Sequence, residues 1–332
     1  MTRYHLYAIG NALVDSEYEV SDQQLQTMGV DKRHMTLIDA PRRTELLGHL
    51  HGAKTRRTGG GSAGNTVVAL SQLGGKAFYS CRVADDELGA FYTQDLLSHG
   101  VATNLTHTRP TEGQTGSCMV LVTPDAERSM CTFLGATSQL DASALHPHDI
   151  AKSKIYYMEG YLAASPTGLE AAVKGRQIAI EHQVQTALTL SDVSMINFCR
   201  QGLEAMIGNG LDYLFANEEE AQTWCGTTEL DAVIGQLSAL AKTVCLTRGP
   251  QGCIVVQGSQ RIEVPAVPTQ AVDTNGAGDM FAGAFLFGLT HGQSPAQAAA
   301  LANRAAAAVV SQHGNRLTAA QLQGIAAQTA SA

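Results

Sequence analysis

The chain has 332 residues, 44% of them hydrophobic and 16% charged, which is enough apolar material for a sizeable core and too much for a disordered chain. Its net charge of −8 is spread along the sequence, and the one basic cluster, Lys54, Arg56 and Arg57, is too short for a nucleic-acid footprint, so no nucleic-acid partner is expected. Seven scattered cysteines without a CxxC pair, an N-terminal MTRYHLYAIG without an apolar run of signal length, and no stretch of roughly 20 apolar residues fit a cytoplasmic protein with reduced thiols and no membrane partner.

Short, nearly continuous apolar runs alternate with helical patterns. A strand at YHLYAIG (4–10) is followed by an irregular stretch to about residue 40, then by GGGSAG (59–64) opening a helix over 63–73. AFYSCRV (77–83) leads into a helix over 87–99 that stops at Gly100. SCMVLVTPDAERSMCTF then reads as two strands around a TPDAE turn. Strands follow at KIYYMEG (154–160), TALTLS (186–191), DYLFAN (212–217), TVCLTR (243–248) and CIVVQ, with helices over 166–183, 218–225 and 231–241. An Ala-rich block supplies helices over 277–291, 294–312 and 318–327. Strand then helix, repeated, predicts a Rossmann-like three-layer α/β/α body with a largely parallel sheet. Residues 1–11, 41–112 and 135–332 are assigned to that body, and 12–40 with 113–134 to a small antiparallel sheet attached to it.

Four stretches carry chemistry. GGGSAG satisfies G-x-G-x-x-G, but the HGAKTRRT before it is not a buried strand, so a dinucleotide fingerprint is rejected, and no P-loop pattern occurs. Gly59 to Gly61 still allow close backbone approach to a ligand, and Asn65 offers a donor and an acceptor; an ordinary helix-opening turn has the same composition. In DTNGAGD (273–279), Gly276, Ala277 and Gly278 can aim N–H groups and a helix N-terminus at one anion. Asp279 at that mouth would repel a resting phosphate but suits a base that takes a proton from an attacking hydroxyl; the alternative is a plain first-turn carboxylate.

In ANEEEA (216–221), Asn217 and Glu220 lie one turn apart at a strand end, placed either to hold a hydrated Mg²⁺ through water or simply to start a helix. TRGPQG (247–252) offers Thr247, Gly249 and Gly252 to phosphates or is a plain strand-turn-strand connection. The His49/His51 and His146/His148 pairs lack a third ligand at metal spacing, and Trp224 reads as a packing anchor.

Together GNALVD (10–15), GGGSAGNTVVALSQLGG (59–75), NEEE (217–220), TRGPQG and DTNGAGDMFAGAF (273–285), in that order, resemble the ribokinase-like (PfkB) family of carbohydrate and nucleoside kinases. The resemblance implies an ATP- and Mg²⁺-dependent phosphotransferase acting on a primary alcohol. On it, Asp279 falls on the catalytic base and Gly276, Ala277 and Gly278 on the anion hole. Asp15, Gly60, Gly61 and Asn65 fall on positions that hold the acceptor's hydroxyls, and Asn217 and Glu220 on the element that organises Mg²⁺ through water. Thr247, Gly249 and Gly252 fall on the nucleotide-phosphate turn. It further implies that the small sheet is a lid, that the chain is a monomer or a lid-mediated homodimer, and that a monovalent cation such as K⁺ can bind near Asp273.

TPDAERSMCTFLGA (123–136), LSDVSMINFCRQ (190–201) and LFANEEEA (214–221) are similar to the adenosine kinase branch. The Ser62-Ala63-Gly64-Asn65 run departs from it, because that branch carries Gln before the Asn. Adenosine is therefore the first expected acceptor, with ribose or fructose as the alternative and a non-catalytic ligand-binding relative as a remote one.

Overall fold

The computed structural model describes residues 2–32, 35–53, 55–108, 110–125 and 127–330; Lys54 of the basic cluster lies outside them. The runs read as strands of the body sit in one nine-stranded sheet, which runs from the edge hairpin Gln260–Val264 and Cys253–Gln257 through Ala241–Thr247, Leu211–Asn217 and Gln185–Thr189. It continues through Ser153–Glu159, Tyr4–Ile9 and Ala77–Ser80 to Ala102–Thr103. Every pairing is parallel except those of the edge hairpin. Strands such as Tyr4–Ile9 are buried almost throughout because a separate apolar core lies on each face of the sheet, as a continuous apolar run requires.

Helices Ser62–Gln72, Ala277–Thr290 and Pro295–Val310 cover one face, and Pro166–Glu181, Val193–Ile207 and Glu218–Cys225 the other. Register aligns Glu159 with Thr189 and, two residues further toward the carboxyl ends because Thr189 pairs with Phe215, Asn217 with Thr247, so two pairs of strand-end residues lie along the same edge of the sheet. Ligands of open α/β sheets gather along such an edge.

Helix Val193–Ile207 and strand Gln260–Val264 were not expected. Helix Val193–Ile207 has weak helix formers and a residue, Cys199, with non-helical backbone inside it; its clearest sequence signal is Asp192, whose side chain caps the Ser194 N–H. Strand Gln260–Val264 is a polar edge with no apolar run to mark it.

The second sheet has five strands in the order Met35–Leu37, Arg128–Phe133, Ser117–Val122, Leu13–Glu19 and Thr55–Gly60. It is mixed rather than antiparallel: Leu13–Glu19 runs parallel to Ser117–Val122, and Met35–Leu37 parallel to Arg128–Phe133. Separate excursions of the chain supply these strands, so neighbours need not be joined by hairpins. The fifth strand, Thr55–Gly60, comes from the range read as body, and the 12–49 region also carries short helices at Asp22–Thr27 and Ala40–His49. TRRTGG thus is a strand, but one paired antiparallel in the second sheet, which leaves GGGSAG without the βαβ context of a dinucleotide site.

Strand alternation sends Tyr18, Met119, Leu121 and Cys131 into a third small core with Leu25 and Leu46. It turns Asp15, Glu17 and Arg128 the other way, toward the glycine loop at 273–279. Cys81, Cys118, Cys131, Cys245 and Cys253 are buried, Cys199 and Cys225 partly so, and all seven are free. Trp224 is buried under the Arg200 guanidinium, whose carbon sits 4.4 Å from the ring centroid. Among the described residues no helix is long and apolar enough to cross a membrane.

Candidate active site

Asp279 lies in the first turn of Ala277–Thr290, which opens at Gly276 in the left-handed region (φ +76°). Its two oxygens accept from Ser62 Oγ at 2.6 Å and Asn65 Nδ2 at 3.0 Å. Ser62 and Asn65 are one turn apart and so share a face of Ser62–Gln72, which packs against the Asp279 helix. That helix starts at Gly61 (φ +85°), where any Cβ would strike the Asn11 carbonyl. Next to it, Asp15 Oδ2 accepts from Asn315 Nδ2 at 2.9 Å, and a Cβ on Gly60 would lie 2.6 Å from both Asp15 oxygens. The glycines are therefore needed for close approach, and Asp15, Gly60, Gly61, Asn65 and Asp279 form one cluster.

Glu159, at the end of Ser153–Glu159, joins this cluster unannounced by any motif. It is fully buried and accepts the Asn11 N–H at 2.7 Å and the Ala63 N–H at 2.8 Å, tying the first strand's exit to the start of the Ser62 helix. Burial pushes the Asp15, Glu159 and Glu220 carboxyls up to about 7, and burial likewise raises Asp279 against the pull of its Ser62 and Asn65 hydrogen bonds and Arg316.

A carboxyl whose folded pKa exceeds its unfolded value binds more protons when folded, so its contribution to stability falls as pH rises from about 4 to about 7. The ligand-free protein is expected to melt at lower temperature at pH 8 than at pH 5.5. Glu159→Gln should flatten that decline, by no more than about 3 kcal/mol at one pKa unit per 1.36 kcal/mol. Thermal melts of both proteins across that range check it; parallel pH dependences would show that Glu159 does not titrate in the window.

The remaining predicted residues lie farther along the strand ends. Asn217 and Thr247 are register partners on adjacent strands, two and three strands beyond Glu159 and two residues further along them. Asn217 and Glu220 close on each other as a capping box: Asn217 Oδ1 accepts the Glu220 N–H at 2.8 Å, while Glu220 accepts from Asn217 N at 3.1 Å and Asn217 Nδ2 at 2.7 Å. The helix-start reading of this pair is thus realised. Each carboxylate oxygen still has lone-pair capacity for a metal's water. Among the described residues no three His, Cys, Asp or Glu side chains gather as a metal cage.

Gly249 (φ +51°) and Gly252 (φ +87°) shape the turn of an antiparallel hairpin, with Gly249 open to space and Gly252 packed against Val264 O. At the glycine loop, the Ala277 N–H turns back to Thr274 O at 3.3 Å, so the outward donors of the first turn are Gly278 and Asp279 N–H rather than an unbroken run from Gly276.

Arg128, also unforeseen, reaches from the second sheet to Asp273 Oδ2 (2.9 Å) and Glu17 Oε2 (3.1 Å). Arg316 donates to Asn65 Oδ1 from Nε (2.9 Å) and pairs with Asp95 through Nη1 (2.6 Å).

A three-layer α/β body, a second sheet over its strand ends, and a carboxylate at a glycine-opened helix mouth define the architecture of a small-molecule kinase. A model described as pfkB family carbohydrate kinase matches residues 31–321, and the chain belongs to that family. The structure superposes on the adenosine kinase from Sinorhizobium meliloti with a TM-score of 0.87 at 38% identity, covering 98% of this chain and 99% of that one. It also superposes on a probable sugar kinase protein from Rhizobium etli CFN 42 with a TM-score of 0.89 at 36% identity, covering 99% of each. The adenosine kinase of Saccharomyces cerevisiae is 28% identical over 312 residues, 87% of this chain and 89% of that protein. The chain is therefore a PfkB-family carbohydrate or nucleoside kinase of the adenosine kinase-like branch, and kinases of this family use ATP, generally with Mg²⁺.

Proposed function

We propose that the enzyme transfers the γ-phosphoryl group of MgATP to the primary hydroxyl of a ribonucleoside, adenosine first among them, with Asp279 as general base. The Asp279 carboxylate, held by Ser62 and Asn65 beside the outward N–H groups of a helix start, carries this reading. Asp15 and Asn65 orient the acceptor's secondary hydroxyls, and Asp279 accepts the proton as the primary oxygen attacks. Gly276 sets the turn from which Gly278 and Asp279 N–H groups stabilise charge on the transferring group. Bound to ATP, Mg²⁺ neutralises phosphate charge; Glu220 and Asn217 would hold its waters, while Thr247, Gly249 and Gly252 line the nucleotide phosphates' side.

The second sheet serves as the lid, excluding water so that ATP is not wasted by hydrolysis. Asp273, near which the family resemblance implies a monovalent cation, shares Arg128 with Glu17 and accepts the Asn275 and Gly314 N–H groups.

A cleft of about 450 Å³ lined by Leu37, Phe133, Leu134, Ala136 and Gln139 supports a nucleobase-bearing acceptor. It adjoins the cluster through Thr137, whose hydroxyl accepts the Ala12 N–H and donates to Asn11 Oδ1. A panel of nucleosides and sugars with MgATP, read by ADP release, is expected to show turnover of adenosine well above ribose and fructose. The reverse order would favour the second reading, a sugar kinase, which the sugar-kinase relative keeps in view.

A further inference from the structure

Arg316 follows the Pro295–Val310 helix in a stretch, GNRLT, to which no motif points. Its side chain is only 9% exposed and enters the cluster from behind Asn65. An arginine facing a carboxylate ordinarily uses two parallel N–H bonds. Here it does not: Nη1 goes to Asp95, Nε goes to Asn65 Oδ1, and Nη2 stays buried without a protein partner. The guanidinium is placed to serve Asn65 at the expense of the ion pair. Gly59 opens the space, since a Cβ there would lie 2.9 Å from Nη1 and 3.1 Å from Nη2.

We propose that Arg316 is a positioning residue that locks the Asn65 amide with its N–H toward Asp279, holding Asp279 as the proton-accepting carboxylate. An arginine can only donate, so the Asn65 face that meets it must be the oxygen. The other face, Nδ2, is then committed to Asp279 Oδ2. Rotating the amide by 180° would set two donors against each other at Arg316 and two acceptors at Asp279; protonation of Asp279 relieves the second clash but not the first. With Arg316 gone, the flipped amide and the protonated acid stabilise one another.

The charges around Asp279 make this matter. The Asp15 carboxyl bears on it from the Leu13–Glu19 strand, Glu159 from Ser153–Glu159 and Glu220 from Glu218–Cys225, while the Tyr157 and Tyr161 phenols nearby, pushed up by burial, stay neutral. Arg316 is the cation that opposes them at Asp279.

The inference rests on Asp279 being the base, and the experiment separates the two. The pH dependence of kcat/KM for ADP release is measured on the full-length enzyme with MgATP and adenosine, or ribose should adenosine be inert. In Arg316→Met the acidic limb is expected to move up by about one pH unit, so that activity relative to wild type is lost progressively toward acid pH, the loss approaching about tenfold below both limbs and vanishing above them. Arg316→Lys, which still only donates, restores most of the limb. Should the methionine variant not fold, Arg316→Gln takes its place: an amide that accepts as readily as it donates raises the limb, whereas lysine does not.

A limb that stays at the wild-type position in Arg316→Met or Arg316→Gln, with Asp279→Asn inactive, overturns the role of Arg316 and leaves the base in place. An active Asp279→Asn overturns the base assignment itself. A purely structural role would lower kcat/KM equally at every pH.

Discussion

Asp279→Asn is expected to fold and to keep acceptor affinity within a few-fold, while turnover falls by about 10²–10⁴, the usual contribution of a positioned general base. The substitution is isosteric, and Ser62, 2.6 Å from Oδ1, can still donate to an amide oxygen there. What disappears is the capacity to take a proton. The amide also brings an N–H toward Asn65 Nδ2, which now donates to Asp279 at 3.0 Å, so Asn65 is left with a donor facing a donor. Binding of acceptor measured by calorimetry and ADP release measured by a coupled assay separate the two effects. Wild-type turnover would remove Asp279 from the chemistry and leave it as a helix-start carboxylate.

The pieces of this site differ in how far the sequence exposes them. The parallel strands were legible because doubly covered strands read as unbroken apolar runs, as in Tyr4–Ile9 and Leu211–Asn217. The glycine loop and Asp279 were legible because turn, helix start and carboxylate fall within seven residues. Thr55–Gly60 was not, because TRRTGG carries no hydrophobic signature. Glu159 and Arg316 escaped for a different reason: their partners lie 96 and 251 residues away in the chain, at Ala63 and Asn65, and nothing local to EGY or GNRLT requires them. The capping box at Asn217 and Glu220 shows the converse, a local pattern whose local explanation holds whether or not a ligand also uses it.

Gly276→Ala carries the second large effect, and it reaches both halves of the site. At φ +76° an alanine is strained by roughly 1–2 kcal/mol on backbone grounds alone. Its Cβ would also lie 2.8 Å from the Asn315 carbonyl oxygen and Cβ and 3.0 Å from its Cα, atoms that cannot rotate away. Relief requires the loop and Asn315 to part. One movement lifts the first-turn N–H groups off the transferring phosphoryl, where each donor is worth about 2.7–4 kcal/mol. The other loosens Asn315 from Asp15, which it holds at 2.9 Å.

Turnover is expected to fall by a factor of about 10² or more, with a rise in acceptor KM that a change confined to the anion-binding turn would not produce. Gly278→Ala provides the steric contrast, because nothing lies within 4 Å of its added Cβ and it should melt at or above the wild-type temperature. If Gly276→Ala instead keeps both turnover and KM, the helix start does not bear on the phosphoryl group, and Asp279 and Asp15 are held by their own hydrogen bonds rather than by the turn between them.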